Sequence, residues 1–216
     1  RVRVMVANNS AGCVHFLAGR YPGGIGHLYS PGGERGPYDW LPYALDNGAF
    51  GAFRTGAAFN ADRWRRLLQW AATRIQSGAA PPLWVLVPDV VANAEATLEA
   101  WERYAPEATA YGWPLAFAAQ DGHCAEDVPE AGAVVFLGGS TTWKRRAIRP
   151  WCARFPRVHV GRINGYHGLR YCAAAGAESC DGTGWLRGDQ RQLGGLRRFL
   201  AEQAGEVEAV IQEELI

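Results

Sequence analysis

Residues 176–184 read GAESCDGTG. A short strand-like run ends on the carboxylate of Asp181, small residues surround it, and a helix-rich tail follows. Three earlier stretches have the same build, an apolar strand with a polar tip: YALDNGAF at 43–50 with Asp46, LWVLVPD at 83–89 with Asp89, and PLAFAAQDG at 114–122 with Gln120 and Asp121. Polar side chains at successive strand ends are what an active site at the mouth of a parallel barrel looks like in sequence.

Working outward, strand and helix patterns alternate along the whole chain. RVRVMVA opens with period-two alternation, and GIGHLYS is a second strand before a Pro-Gly breaker. The loop 32–42, with Tyr38, Asp39 and Trp40, leads to YALDNGAF, read as a third strand running into a Gly-rich turn. Asn60 to Asp62 cap a helix whose Trp64, Leu67, Leu68 and Ala71 recur at helical spacing until Ser77-Gly78. LWVLVPD is a continuous apolar run of the buried parallel type. A helix over 93–104, the strand PLAFAAQ, the strand AVVFLGG and a basic helix over 142–155 follow. RVHVGRIN, GYHGLRYCAAAG, AESCDG and a helical tail from 189 complete the order. About eight strands with short connections predict a compact single-domain α/β fold, a (β/α)8 TIM-like barrel over 1–216. That fold typically takes ~250 residues, so this is a stripped-down case. An open doubly wound sheet is the alternative.

Composition narrows the function. With 216 residues, 48% of them hydrophobic, the chain fills one core. A net charge of +1 makes any nucleic-acid surface local. Five scattered cysteines, with no C-x-x-C pair, argue against a disulfide framework or a zinc knuckle. No apolar run approaches the ~20 residues of a membrane span, and no leader is read at the start. The expectation is a cytoplasmic protein without a membrane partner. His27, His123, His159 and His167 lack metal-ligand spacing, so no metal is expected and these are assigned core or surface roles.

Each strand tip has a chemical reading and a plainer one. Asp181 is a carboxylate nucleophile for an anomeric carbon, or a turn aspartate. Asp46, beside Asn47 and Gly48, is a second carboxylate for acid/base work, or part of an Asx turn. A carboxylate at Asp89 matches the paired N–H donors of a guanine-like base, or caps the next helix. Gln120 can donate to a purine carbonyl, with the backbone N–H groups of Gly138 and Gly139 aimed at the same oxygen; a simple turn is the plainer reading of the glycines. TTWKRRAIRPW offers Lys144, Arg145, Arg146 and Arg149 interleaved with tryptophans, Arg187 forms a second basic group with Arg191, Arg197 and Arg198, and Arg162 lies next to the seventh strand's tip, placed for sugar or phosphate or for a structural salt bridge. This is a phosphate-contacting pattern or a solvated helix face.

Taken together and in order, these motifs resemble the tRNA-guanine transglycosylase superfamily over roughly 45–183. The resemblance implies that Asp181 is the covalent nucleophile and Asp46 the second catalytic carboxylate. It also implies that Asp89, Gln120, Gly138 and Gly139, with Asn47 and Gly48 beside them, bind the base. The family's C-x-C-x2-C and later His are missing after Asp181, so its zinc subdomain is not expected. The chain looks most like compact DpdA-type paralogues, which implies exchange of guanine in DNA for a free 7-deazaguanine base such as 7-cyano-7-deazaguanine. No cofactor is expected, because one glycosidic bond replaces another. The alternatives are a tRNA or nucleoside acceptor, a non-catalytic subunit supporting an active protein partner, and a generic retaining glycoside hydrolase.

Overall fold

The computed structural model describes residues 1–7, 12–34, 40–182, 184–185 and 190–206. Its eight strands are β1 (Arg3–Ala7), β2 (Ile25–Tyr29), β3 (Tyr43–Leu45), β4 (Val85–Leu86), β5 (Leu115–Ala119), β6 (Val134–Leu137), β7 (Val158–Val160) and β8 (Ser179–Gly182). Every strand pairs in parallel with its sequence neighbour, and β8 closes on β1, with Met5 opposite Asp181. The chain is a closed single-domain (β/α)8 barrel; the open sheet is excluded by the β1–β8 pairing.

Period-two alternation sorts side chains to the two faces of the barrel wall. Met5, Leu28, Ala44, Trp84, Leu86 and Ala116 form a cluster inside. Alanines at 44, 116 and 118 leave room for the fully buried Trp84 indole. Residues of the opposite parity, such as Val4, Val6, Leu45, Val85 and Phe117, pack outward against the helices in a second, larger cluster.

The helices are α1 (Gly12–Arg20), α2 (Ala49–Thr55), α3 (Ala61–Gln76), α4 (Ala94–Thr109), α5 (Thr141–Arg154), α6 (Tyr166–Ala175) and α7 (Gln190–Ala204). Local chemistry sets their starts. The side chains of Asn60, Asn93 and Ser140 accept from the backbone N–H three residues on, at 3.0, 3.0 and 3.3 Å. Each such cap contributes about 1 kcal/mol. Trp64, Leu67, Leu68 and Ala71 of α3 are all buried, at the spacing of one helical face. Burying each of the larger ones contributes roughly 1.5–3 kcal/mol.

Two expectations need correction. YALDNGAF does not run on as a strand: β3 ends at Leu45, and α2 begins at Ala49. Gly48 sits in the left-handed region at φ 81°, and the Asn47 side-chain carbonyl accepts from Ala49 N–H at 2.7 Å. Those two features turn the chain out of the wall and start a helix there. In LWVLVPD the strand itself is only Val85–Leu86, flanked by bonds from Leu83 N–H to Tyr43 O at 2.8 Å and from Val87 N–H to Ala116 O at 3.1 Å, and Pro88 has no N–H to carry the ladder further.

Candidate active site

The barrel's carboxyl-end mouth is where the strand tips meet. Asp46 follows β3, Asp89 follows β4, Gln120 follows β5, Gly138 follows β6, Arg162 lies two residues past β7, and Asp181 is inside β8. All of them line one cavity of about 810 Å3. Leu28, Leu86 and Phe136 from the inner wall also line it.

Asp181 is 7% exposed. Its Oδ1 accepts from the Arg162 backbone N–H at 3.1 Å and from His159 Nε2 at 3.0 Å. A carboxylate oxygen only accepts, so the Nε2 contact calls for a proton on Nε2, and Nδ1 lies 2.8 Å from the Ser179 hydroxyl. Oδ2 takes no hydrogen bond among the described residues. One oxygen is therefore clamped and the other is left for a ligand. His159 is fully buried between Trp84 and Phe136, each ring centroid 4.8 Å away. From sequence His159 is expected to fill a core or surface role, and the contact with Asp181 is not foreseen. The signal was the V-H-V alternation, which sends His159 inward, on the side shared by Ser179 and Asp181.

Asp46 accepts from Ser30 Oγ at 2.8 Å and from Asn47 N–H at 2.9 Å. Burial pushes its carboxyl above the usual value, and the negative Asp181 nearby adds to the rise, against the Ser30 hydrogen bond. A carboxyl poised upward in this way is suited to carry a proton to a leaving group.

Asp89 is braced on both oxygens. Asn47 Nδ2 donates to Oδ1 at 2.6 Å, and Gln120 Nε2 donates to Oδ2 at 2.6 Å. Burial raises its pKa to about 6, the negative Asp46 adds to this, and the Asn47 and Gln120 hydrogen bonds oppose it. Each oxygen keeps a further lone pair, so a ligand with two parallel N–H donors can still be accepted.

The supporting groups differ from expectation. Both N–H groups of the Asn47 amide are spent, on Asp89 and on Val87 O at 2.9 Å, so Asn47 is a brace and not a ligand contact. Gly138 N–H donates to Ala119 O at 3.0 Å, and Gly139 N–H donates to Gln120 Oε1 at 2.8 Å. Neither glycine offers its N–H to the cavity. Gly138 contributes space instead: a Cβ there would stand 2.5 Å from Gln120 Nε2. Gln120 Oε1 also accepts from Ala92 N–H at 3.0 Å, which leaves the amide one spare N–H for a ligand. Gly48 lines the cavity and serves as the left-handed start of α2. Asp121 does not face a base either; it accepts from Ser140 N–H at 2.6 Å and staples the β5 tip to α5.

The basic residues separate. Lys144 is not a phosphate contact: it is 3% exposed, and its ammonium donates to Gly161 O. Its position on α5 turns it in toward β7 while Arg145 and Arg146 turn out. Burial lowers its pKa to about 8. Arg145, Arg146 and Arg149 are exposed and none lines the cavity; Arg149 stacks over Tyr171 at 5.3 Å. Arg162 does line it. Its backbone is strained at φ 59°, its guanidinium donates to Gly139 O, and it lies 4.4 Å from the centroid of Phe50. Arg187 lies outside the described residues. Sequence reasoning missed Arg54 and Arg63, which α2 and α3 bring to the cavity rim.

Among the described residues no cluster of His, Cys, Asp or Glu is placed to hold a metal, and no helix is long and apolar enough to cross a membrane.

No family model matches the chain, and no curated protein matches it either. Solved structures do. One is the BexX/CysO complex of Amycolatopsis orientalis, at 18% identity and a TM-score of 0.55, covering 97% of this chain and 92% of that one. Another is 3-hexulose-6-phosphate synthase from Salmonella typhimurium, at 10% identity and a TM-score of 0.50, covering 95% of this chain and 100% of that one. A further 3-hexulose-6-phosphate synthase structure gives 12% identity and a TM-score of 0.50, over 93% of this chain and 99% of that one. At such identities the likeness is one of fold, and function has to be argued from the site.

Proposed function

We propose that this chain is a base-exchange transglycosylase that replaces guanine in DNA with a 7-deazaguanine, such as 7-cyano-7-deazaguanine, through a covalent aspartyl-sugar intermediate. The observation that supports it best is the convergence on one cavity of a half-clamped carboxylate, a carboxyl poised to carry a proton, and a braced carboxylate–carboxamide pair.

In this reading Asp181 Oδ2 attacks C1′, the bond from C1′ to the base nitrogen breaks, and its electron pair leaves with guanine. Asp46 supplies the proton that makes guanine a neutral leaving group. The incoming 7-deazaguanine returns a proton to Asp46 as its ring nitrogen attacks C1′ and releases Asp181. Asp89 accepts the two parallel N–H donors of either base on its spare lone pairs. The spare N–H of Gln120 donates to the base carbonyl. His159 and the Arg162 backbone hold Oδ1 still, so the attacking oxygen keeps its direction. A flipped-out nucleotide is required if the DNA is duplex.

The test is incorporation of labelled 7-cyano-7-deazaguanine into double-stranded DNA, tRNA and deoxyguanosine, with an Asp181→Ala control. Label in DNA that the control abolishes is the expected result. Label in tRNA or nucleoside alone keeps the chemistry and changes the acceptor. No label with any acceptor, or label undiminished in the control, overturns the reading.

A further inference from the structure

The rim of the cavity is uneven. On the α2–α3 side Arg54 and Arg63 are exposed, line the cavity and have no carboxylate partner among the described residues. The Arg63 guanidinium lies over Gly32, where any side chain would collide with it. The same side exposes two aromatic rings three residues apart on α2. Phe50, at 38%, is held from one face by Arg162, and Phe53, at 60%, stands free beyond the cavity edge. Exposed phenylalanine is unfavourable in water, and a pair beside unpaired arginines marks a surface that is covered in use. Phosphates match the arginines in charge, and bases match the rings in shape.

We propose that the single-stranded stretch of DNA flanking the target nucleotide lies across this α2–α3 rim and not along the basic helix α5. The inference rests on the transglycosylase reading and deepens it by naming where the acceptor strand runs. Arg54 and Arg63 contact its phosphates, and Phe53 stacks on a base beside the extruded one. The arginines of α5 lie off the cavity, so a strand following them would not deliver a nucleotide to Asp181.

Binding is measured directly, by fluorescence anisotropy of a labelled single-stranded oligonucleotide with one guanine, titrated at several salt concentrations. Each phosphate contact contributes about 0.7 to the slope of log affinity against log salt for a single strand. The Arg54→Ala/Arg63→Ala double variant is expected to lower that slope by about 1.4 relative to wild type. The Arg54→Lys/Arg63→Lys variant, which keeps the charge, is expected to restore it. Phe53→Ala is expected to weaken binding about 5- to 150-fold, the effect of losing one stacked base. The Arg145→Ala/Arg146→Ala/Arg149→Ala variant is expected to keep the wild-type slope. No salt-dependent binding by wild type, or a slope lost in the α5 variant and kept in the rim variant, overturns the proposal. Rim-dependent binding by a protein that incorporates no label keeps the surface and removes the base-exchange reading. Exchange into DNA undiminished in the rim double variant does the reverse.

Discussion

Gly138→Ala tests the architecture of the base pocket with a single methyl group. Gly138 has no left-handed backbone angle, so alanine is tolerated there conformationally and only space opposes it. The new Cβ would stand 2.5 Å from Gln120 Nε2 and 3.2 Å from its Cδ. Gln120 cannot yield freely, because it is 2% exposed and its amide is held by Asp89, Ala92 and Gly139. Moving the amide out of contact breaks the short bond to the Asp89 carboxylate and the bond from Gly139 N–H. A hydrogen bond to a charged group contributes about 1.5–3 kcal/mol and a neutral one about 1 kcal/mol, so the loss comes to about 3 kcal/mol. For a chain of this size that is a fall in Tm of roughly 6–12 °C. Urea unfolding followed by tryptophan fluorescence at neutral pH measures it. Gly194→Ala is the matched control: it lies within α7 with nothing in 4 Å of its Cβ position, and alanine there is expected to stabilise by about 0.5–1 kcal/mol. The two substitutions add the same atom and should move stability in opposite directions. A Gly138→Ala protein within about 0.5 kcal/mol of wild type would refute the view that Gln120 is locked against Gly138.

Three further outcomes follow from buried titratable groups. Asp89 has its folded pKa raised from 3.8 to about 6, so the folded state holds more protons in that window and its contribution to stability falls as pH rises through it. Urea midpoints of Asp89→Asn should therefore gain on wild type between pH 3.8 and 6; parallel curves would contradict the assignment. Lys144 has the opposite linkage: its folded pKa drops from 10.5 to about 8, so wild type should gain stability over Lys144→Met as pH rises between those values, and a flat difference would show the ammonium is solvated. His159→Leu removes the donor that orients Asp181, a charge-assisted hydrogen bond of about 1.5–3 kcal/mol, and should lower the single-turnover exchange rate about 10- to 150-fold. His159→Gln should recover part of that rate with the KM for the incoming base unchanged, and an unaltered rate in His159→Leu would exclude a positioning role.

The amino-acid sequence by itself determined the alternation of eight strands with helices, the cap at Asn60, and the polar residues at the tips of the third, fourth, fifth and eighth strands. These are local properties: side-chain period, capping chemistry and turn residues act over a few positions. The closed barrel then brought Asp46, Asp89, Gln120, Arg162 and Asp181 to one cavity. What each group does there was decided only by tertiary structure. Asn47 is spent bracing Asp89, 42 residues away, and Gly139 N–H is spent on Gln120, 19 residues away. His159 reaches Asp181 across 22 residues, because pairing of β7 with β8 puts both inside the wall. Lys144 reads as part of a basic surface beside Arg145 and Arg146, yet its place on α5 turns it inward. Donor and acceptor capacity is used up by whichever partner the fold brings within about 3 Å, and partners distant in sequence leave no mark on the local pattern.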